Sequence, residues 1–214
     1  MSINFNSELD KEVLLRKLSS LRREVIINMV EGKGIYAEKI KNWLSLIISR
    51  TEKGRITIKK VGVEFFEDLL KRFPTASIIS IETAFENRLR FVGWMIGKLE
   101  KLILEAICIA GNSLEHYELP SDLINEVTAL KGVLDLYVLP GFACYVLGRM
   151  FVHLVYHAPQ IRVNIIDALE AENSLEKFEY EGFPVVIWND SKVILNETPE
   201  SMGTLINRLA KVIK

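Results

Sequence analysis

The sequence has few of the residues that carry redox and metal chemistry. Its 214 residues include two cysteines, three histidines and one glutamine, Gln160. Two cysteines cannot build a disulfide framework, which favours a reducing cytoplasm. The scarcity of a thermolabile amide beside many charged residues is typical of a thermophile.

The sequence also lacks long apolar runs and a surplus of one charge. No uncharged run approaches the roughly 20 residues that span a bilayer, and the polar, acidic start is unlike a signal peptide. The 27 basic and 28 acidic residues leave a net charge of -1, which gives no electrostatic case for nucleic acid. We therefore expect a cytoplasmic protein with neither nucleic acid nor membrane as a partner.

What the sequence does contain is the same order of elements twice. Each half reads helix, strand, helix, strand, short helix, Phe-Pro, strand, strand, helix. This predicts an internal duplication of about 100 residues, with units at 1–112 and 113–214. Strands joined through a helix are parallel and strands joined by a short turn are antiparallel. The sequence therefore predicts an α/β fold of two tandem units, each a mixed four-stranded sheet flanked by helices.

Several element bounds follow from capping and breaking signals. Ser7 is the predicted cap of the first helix, and Thr198 with Pro199 is the predicted start of the last one. Further helices are predicted at 95–110 and 172–178.

Four segments resemble a known family: "RFPTASI", "RLRFVGWMIGKLEKLI", "VLPGFACYVLGRM" and "GFPVVIW". With the element order, they are similar to the thioredoxin-like fold. Two units in tandem resemble the protein disulfide oxidoreductases of thermophilic archaea and the N-terminal domain of the alkyl hydroperoxide reductase flavoprotein. The resemblance implies that Pro74 and Pro184 are cis prolines facing an active site.

The same resemblance places a Cys-x-x-Cys pair at each helix start, and here the pair is degenerate. The first unit reads Gly34-Ile35-Tyr36-Ala37 and the second reads Gly141-Phe142-Ala143-Cys144. Dithiol exchange needs an attacking thiolate and a resolving thiol, and Cys144 occupies the resolving position. Both units therefore lack the attacking nucleophile, although each glycine leaves backbone N–H groups open to a carboxylate or phosphate.

The remaining cysteine and histidine residues each have a structural and a chemical interpretation. Cys144 is either a packed small hydrophobe or a reactive thiol activated by the helix N-terminus. Cys108, in an apolar helix, is expected in the core. His153 and His157 share a helix face, which permits a two-point metal chelate, but a helix-end histidine explains them better. We predict no metal and no cofactor.

The sequence supports two alternative functions. The first is a redox-inactive module that binds a peptide or protein along grooves formed by the two Phe-Pro segments and the degenerate motifs, namely Phe73, Pro74, Gly34 and Tyr36, and Phe183, Pro184, Gly141 and Phe142. The alternative is a residual thiol-disulfide oxidoreductase that uses Cys144. Self-association into a homodimer is a further use of the scaffold, through apolar surface expected at "RFVGWMIG".

Overall fold

The computed structural model describes residues 5, 9–33, 35–95, 97–171 and 174–213. The predicted cap Ser7 and the motif residue Gly34 lie outside these residues. Within them, no helix combines the length and the apolar character that crossing a bilayer requires.

Eight strands among the described residues form one mixed sheet. Its order is β2-β1-β3-β4-β6-β5-β7-β8. The strands are β1 (Val25–Val30), β2 (Ile56–Lys60), β3 (Ile78–Ile81), β4 (Leu89–Val92), β5 (Gly132–Val138), β6 (Ile161–Asp167), β7 (Val185–Trp188) and β8 (Lys192–Leu195). The first two strands of each half are parallel and the last two antiparallel, as the connections predicted. The α/β fold class is confirmed.

The two four-stranded sheets are joined into one by β4 and β6. These strands run parallel, with Leu89 opposite Val163 and Phe91 opposite Ile165. All four side chains are buried, so the joint closes two edges that would otherwise expose unpaired main-chain groups. The joint is head to tail, because the last strand of the first half pairs with the second strand of the other half.

The helices cover the two faces of the sheet unequally. One face packs against the long helices, α1 (Lys11–Leu18), α2 (Ile35–Ser49), α4 (Glu100–Ala110), α5 (Ser121–Ala129), α6 (Phe142–His157) and α7 (Met202–Ile213). The other face is covered by α3 (Glu67–Leu70), by the 3-10 helix Val63–Phe66 before it, and by residues after the 3-10 helix Ala168–Glu170. That second face carries a smaller core.

Three predicted helix bounds are wrong. α4 begins at Glu100 rather than 95, because Gly97 has φ +60°, outside the helical region. Ser201 accepts a hydrogen bond from the Thr204 N–H and caps α7, whereas Thr198 donates to the Ala143 carbonyl at 3.1 Å. In the short helix predicted at 172–178, Ser174 has 3-10 geometry and residues 175–178 form a turn and bends rather than an α-helix; residues 172 and 173 are outside the described part.

The expected apolar surface at "RFVGWMIG" is also wrong. Arg90, Phe91, Val92 and Met95 are buried, because β4 is an interior strand paired on both sides. Of the described apolar residues of this segment, only Trp94 is partly exposed, which leaves little apolar surface here; residue 96 lies outside the described part.

A row of polar side chains crosses the thinly covered face. Residues paired directly across neighbouring strands point to the same face, and one such row contains Lys59, Asn28, Ser80, Arg90, Asn164 and Asp135. All except Lys59 are buried. The row runs through both halves and ends at Ile187 in β7.

Candidate functional site

The degenerate motifs lie at the end of the sheet where β1 and β5 finish. α2 begins at Ile35 and α6 at Phe142, each a few residues after its strand. Gly141 precedes α6 with an extended backbone, and an added Cβ there would find its nearest neighbour, the Leu139 carbonyl oxygen, at 3.9 Å. The start of α6 is therefore sterically open.

The corresponding place in the first half is closed by the chain itself. The Gly32 N–H donates to Ser77 Oγ at 2.9 Å, and the Lys33 N–H donates to the Thr75 carbonyl at 3.2 Å. A Cβ on Gly32 would collide with that same carbonyl oxygen. Residues 75–77 thus lie directly over the loop after β1 and use its main-chain groups.

The prediction of two cis prolines is right for Pro184 and wrong for Pro74. Phe183–Pro184 is the one cis peptide bond within the described ranges. The sequence similarity of the two Phe-Pro pairs is misleading, because Pro184 immediately precedes β7 whereas Pro74 lies four residues before β3. Ser77 holds the place next to β3 instead.

The other predicted groove residues of the first half do not form an open edge. Phe73 is buried in the smaller core, and Pro74 is exposed. Tyr36 is half-buried, with Lys39 Nζ 5.3 Å from its ring.

In the second half, the segment before β7 is held but not paired. Asn196 accepts a hydrogen bond from the Glu181 N–H and donates to the Gly182 carbonyl, both at 2.8 Å. Across the described residues, no hydrogen bond uses the N–H or the C=O of Phe183. A short piece of main chain is therefore fixed in place, and no described residue uses its next donor and acceptor, the N–H and C=O of Phe183.

Exposed aromatic side chains lie at the same end of the sheet as this main chain, because β7 begins opposite Tyr137, near the end of β5. Tyr180 is 39% exposed and its ring centroid lies 5.5 Å from that of Phe183. Phe142, at the start of α6, is 46% exposed, with Lys98 Nζ 5.5 Å from its ring. We call the main chain of residues 181–183, with the rings of Phe142, Tyr180 and Phe183, the Phe183 edge.

Cys144 does not face this edge as an accessible thiol. It is 3% exposed, and its Sγ accepts a hydrogen bond from the Leu139 N–H at 3.4 Å. Burial raises the pKa of the Cys144 thiol, and backbone hydrogen bonds to the sulfur only partly offset this. The position is that of a packed side chain with little thiolate at neutral pH.

Alkylation should therefore distinguish the native from the unfolded protein. At pH 7.5 we expect iodoacetamide to leave Cys144 and Cys108 unmodified in the native state and to label both in denaturant, read by mass spectrometry. Cys108 is the internal control, because burial raises its pKa to about 12. Labelling of native Cys144 at pH 6.5 would contradict the buried thiol.

The histidines have protein partners. His153 Nε2 lies 3.1 Å from Glu105 Oε1, and its Nδ1 accepts a hydrogen bond from the Tyr117 N–H, so the ring proton is on Nε2. His157 Nε2 donates to the Tyr117 carbonyl at 2.6 Å. In the described part of the chain, no three acidic, cysteine or histidine side chains are grouped to hold a metal ion.

Asp167 is a residue near this end of the sheet that the sequence analysis missed. It lies opposite Val138 at the end of β6, is 4% exposed and accepts a hydrogen bond from the Leu169 N–H at 3.0 Å. Burial raises the pKa of Asp167 to about 6, and the nearby Glu170 adds to the increase. An aspartate ending the apolar strand "IRVNIID" was the available signal.

Replacing Asp167 with asparagine should stabilise the protein at pH 8. Asparagine keeps the cap on Leu169 and removes a buried charge, so we expect a gain of about 1–2 kcal/mol after allowing for partial solvation. Since the folded pKa is raised, the wild type loses stability as pH rises from 3.8 through about 6. The gain measured by urea unfolding should therefore vanish near pH 4, and a gain independent of pH would refute this account.

Comparison with known proteins rests on structure alone. The sequence matches no protein-family model and no curated protein. The NTD_N/C domain of the alkylhydroperoxide reductase AhpF from Enterococcus faecalis is similar, with a TM-score of 0.72 and 15% identity, covering 94% of this chain and 100% of that one. A protein disulfide oxidoreductase from Aeropyrum pernix gives a TM-score of 0.71 at 13% identity, covering 99% and 95%.

A third similar structure is Sso1120 from Sulfolobus solfataricus, with a TM-score of 0.59 and 14% identity, covering 84% of this chain and 95% of that one. At these identities the likeness concerns the fold. The chain has a thioredoxin-like fold over nearly its whole length.

Proposed function

We propose that this protein is a redox-inactive member of the thioredoxin-like fold that binds an extended peptide segment of a partner protein at the Phe183 edge. The observation that carries the proposal is the unused N–H and C=O of Phe183. An extended peptide that pairs with them adds a short strand, and its side chains can contact the neighbouring rings.

Pre-ordering of the edge supports this function. The side chain of Asn196 fixes residues 181 and 182 with two hydrogen bonds, so little main-chain freedom remains to be lost when a peptide binds. Exposed aromatic rings beside the main chain supply apolar area with few rotatable bonds, as is common at binding surfaces.

The asymmetry between the halves restricts binding to the second half. In the first half the chain's own residues 75–77 take up the main-chain groups of Gly32 and Lys33. A peptide would have to displace this segment before it could pair there. One peptide per chain is the expected stoichiometry.

The alternative, a residual thiol-disulfide oxidoreductase, depends on Cys144 as a nucleophile. Its low exposure and raised pKa weigh against that role. Binding at the Phe183 edge needs no thiol.

Peptide binding should depend on the exposed rings of the edge. We would screen an array of ten-residue peptides without cysteine and measure the affinities of the hits by fluorescence anisotropy. The double variant Phe142→Ser/Tyr180→Ser should weaken binding at least about tenfold, since truncating interface aromatics commonly costs more than 1 kcal/mol each. The matched control is Phe65→Ser, which replaces a ring that is 38% exposed in the other half.

NMR tests separately whether a peptide pairs with the main chain of Phe183. On titration with a bound peptide, the Phe183 amide resonance should shift while that of Gly32 does not. Equal affinity in the wild type and the double variant, or peptide shifts confined to other surfaces, would overturn the proposal.

A further inference from the structure

We propose that the peptide bound at the Phe183 edge is basic, with lysine or arginine residues facing the acidic segment at residues 176–181. This inference rests on the proposed function and adds the chemistry of the partner to it. The observation behind it is a set of carboxylates that form no ion pair with any described residue, close in sequence to the main-chain groups of Phe183 that no described residue uses.

The segment that leads into the Phe183 edge is strongly acidic. Residues 170–181 contain five glutamates and one lysine, Lys177. That lysine is already neutralised, because its Nζ lies 2.9 Å from Asp190 Oδ2. Among the described residues, no ion pair involves the glutamates at 170, 176, 179 and 181.

Two of these glutamates are close enough to act on a bound peptide. Glu179 and Glu181 are exposed and flank Tyr180. Glu181 is two residues from Phe183, so their Cα atoms are at most about 7 Å apart. This separation, like the spacing of one residue between Glu179 and Tyr180, is within the Debye length of roughly 8 Å at physiological ionic strength, so both carboxylates attract a cation carried by a peptide on the edge.

The cations around the site offset only part of this charge. Lys98 Nζ lies 5.5 Å from the Phe142 ring. Arg208 is paired with Glu197, and it shares with Lys211 a surface cleft of about 410 Å³ whose lining also includes Glu181. Residues 176–181 contain three glutamates and one lysine that is paired with Asp190, so this segment keeps a net negative charge.

Three peptides test the inference. They share one apolar and aromatic core and differ in flanks of lysine, serine or glutamate at both ends. At 50 mM NaCl we expect the lysine peptide to bind at least about tenfold tighter than the serine peptide, at roughly two- to fivefold per exposed charge pair, and the glutamate peptide to bind weakest. At 500 mM NaCl the differences should shrink severalfold, because salt screens exposed charges.

Charge variants test whether Glu179 and Glu181 cause the preference for lysine flanks. Glu179→Gln/Glu181→Gln should remove most of the preference for lysine flanks and leave the affinity for the serine peptide unchanged. The control Glu12→Gln/Glu64→Gln alters the net charge equally at two exposed glutamates elsewhere and should keep the preference.

The outcomes separate the two proposals. Equal binding of all three peptides, lost in Phe142→Ser/Tyr180→Ser, would refute the basic partner and leave the Phe183 edge standing. A preference for lysine that survives that variant and falls equally in both charge variants would be nonspecific attraction and would refute both. Failure of every peptide to bind at millimolar concentration would also refute both.

Discussion

Replacing Glu105 with alanine should lower the free energy of unfolding by about 3–5 kcal/mol at pH 7, because it removes the carboxylate that pairs with the buried Arg149 guanidinium. Glu105 and Arg149 are both buried, and the guanidinium binds both carboxylate oxygens, with Nε at 2.8 Å from Oε2 and Nη2 at 2.9 Å from Oε1. His153 adds a third contact to the same carboxylate. The pair connects α4 of the first half to α6 of the second.

The size of the loss distinguishes a buried pair from a surface one. Urea unfolding of Glu105→Ala would be compared with that of Glu67→Ala on α3, where the exposed carboxylate lies 2.7 Å from Lys71 Nζ. We expect about 1 kcal/mol or less for that control. Removing both charges in Glu105→Leu/Arg149→Met should restore much of the stability. A loss near 1 kcal/mol for Glu105→Ala would mean that solvent reaches the pair.

The loss of stability in Glu105→Ala should also depend on pH. Burial opposes ionisation of Glu105, but the hydrogen bond from His153 and the charge and hydrogen bonds of Arg149 outweigh it, so its pKa is lowered from 4.5. A lowered folded pKa means that the stabilisation is present above pH 4.5 and is lost as the pH falls through the folded value. The difference in the free energy of unfolding between the wild type and Glu105→Ala should therefore become smaller in strong acid.

Replacing Arg72 with alanine should cost about 2–4 kcal/mol at pH 7. Arg72 follows α3 in the first half and reaches β5 in the second, where Nη1 binds Asp135 Oδ2 at 2.7 Å and Nη2 binds the Tyr137 hydroxyl at 2.6 Å. Asp135 is buried, and without Arg72 its remaining side-chain partner among the described residues is Asn164.

A pH series and a rescue test this second ion pair. Burial already raises the pKa of Asp135 despite Arg72 and Asn164, and the variant should raise it further. Since a raised folded pKa lowers stability as pH rises from 3.8, the cost of Arg72→Ala should be larger at pH 8 than at pH 4.

Arg72→Ala/Asp135→Asn should recover most of the loss, because the buried charge is gone. Arg162→Ala is the matched control, since Arg162 is more exposed and lies 3.6 Å from Asp68; it should cost less than about 1 kcal/mol. Equal losses in the two arginine variants at both pH values would contradict a buried pair.

The sequence predicted the features that depend on a few consecutive residues. Alternating and helical periodicity placed the strands and most helices, because each pattern is contained in a few consecutive residues. The position of Cys144 near the start of α6 followed in the same way. The order of elements then implied the parallel and antiparallel connections within each half.

The sequence could not predict what depends on pairing between distant residues. Glu105 in an apolar helix marks a buried charge, but its partner Arg149 is 44 residues away and on another helix. The pairing of β4 with β6 joins two halves whose sequences each predict a complete four-stranded sheet, so nothing within either half indicated this pairing. Pro74 and Pro184 both follow a phenylalanine, yet strand register, which depends on tertiary pairing, places only Pro184 directly before its strand.

The head-to-tail joint of β4 and β6 is a kind of contact that the outer strands of separate copies also have the direction to form. A contact of this kind does not close on itself, and repeated between molecules it would build an open filament. The outer strand β8 is the counterpart of β4, and the outer strand β2 is the counterpart of β6. Both outer strands carry lysines, Lys59 and Lys60 on one and Lys192 on the other. Lysine on an outer strand disfavours edge-to-edge pairing, so these side chains work against repetition of the joint between copies of the chain.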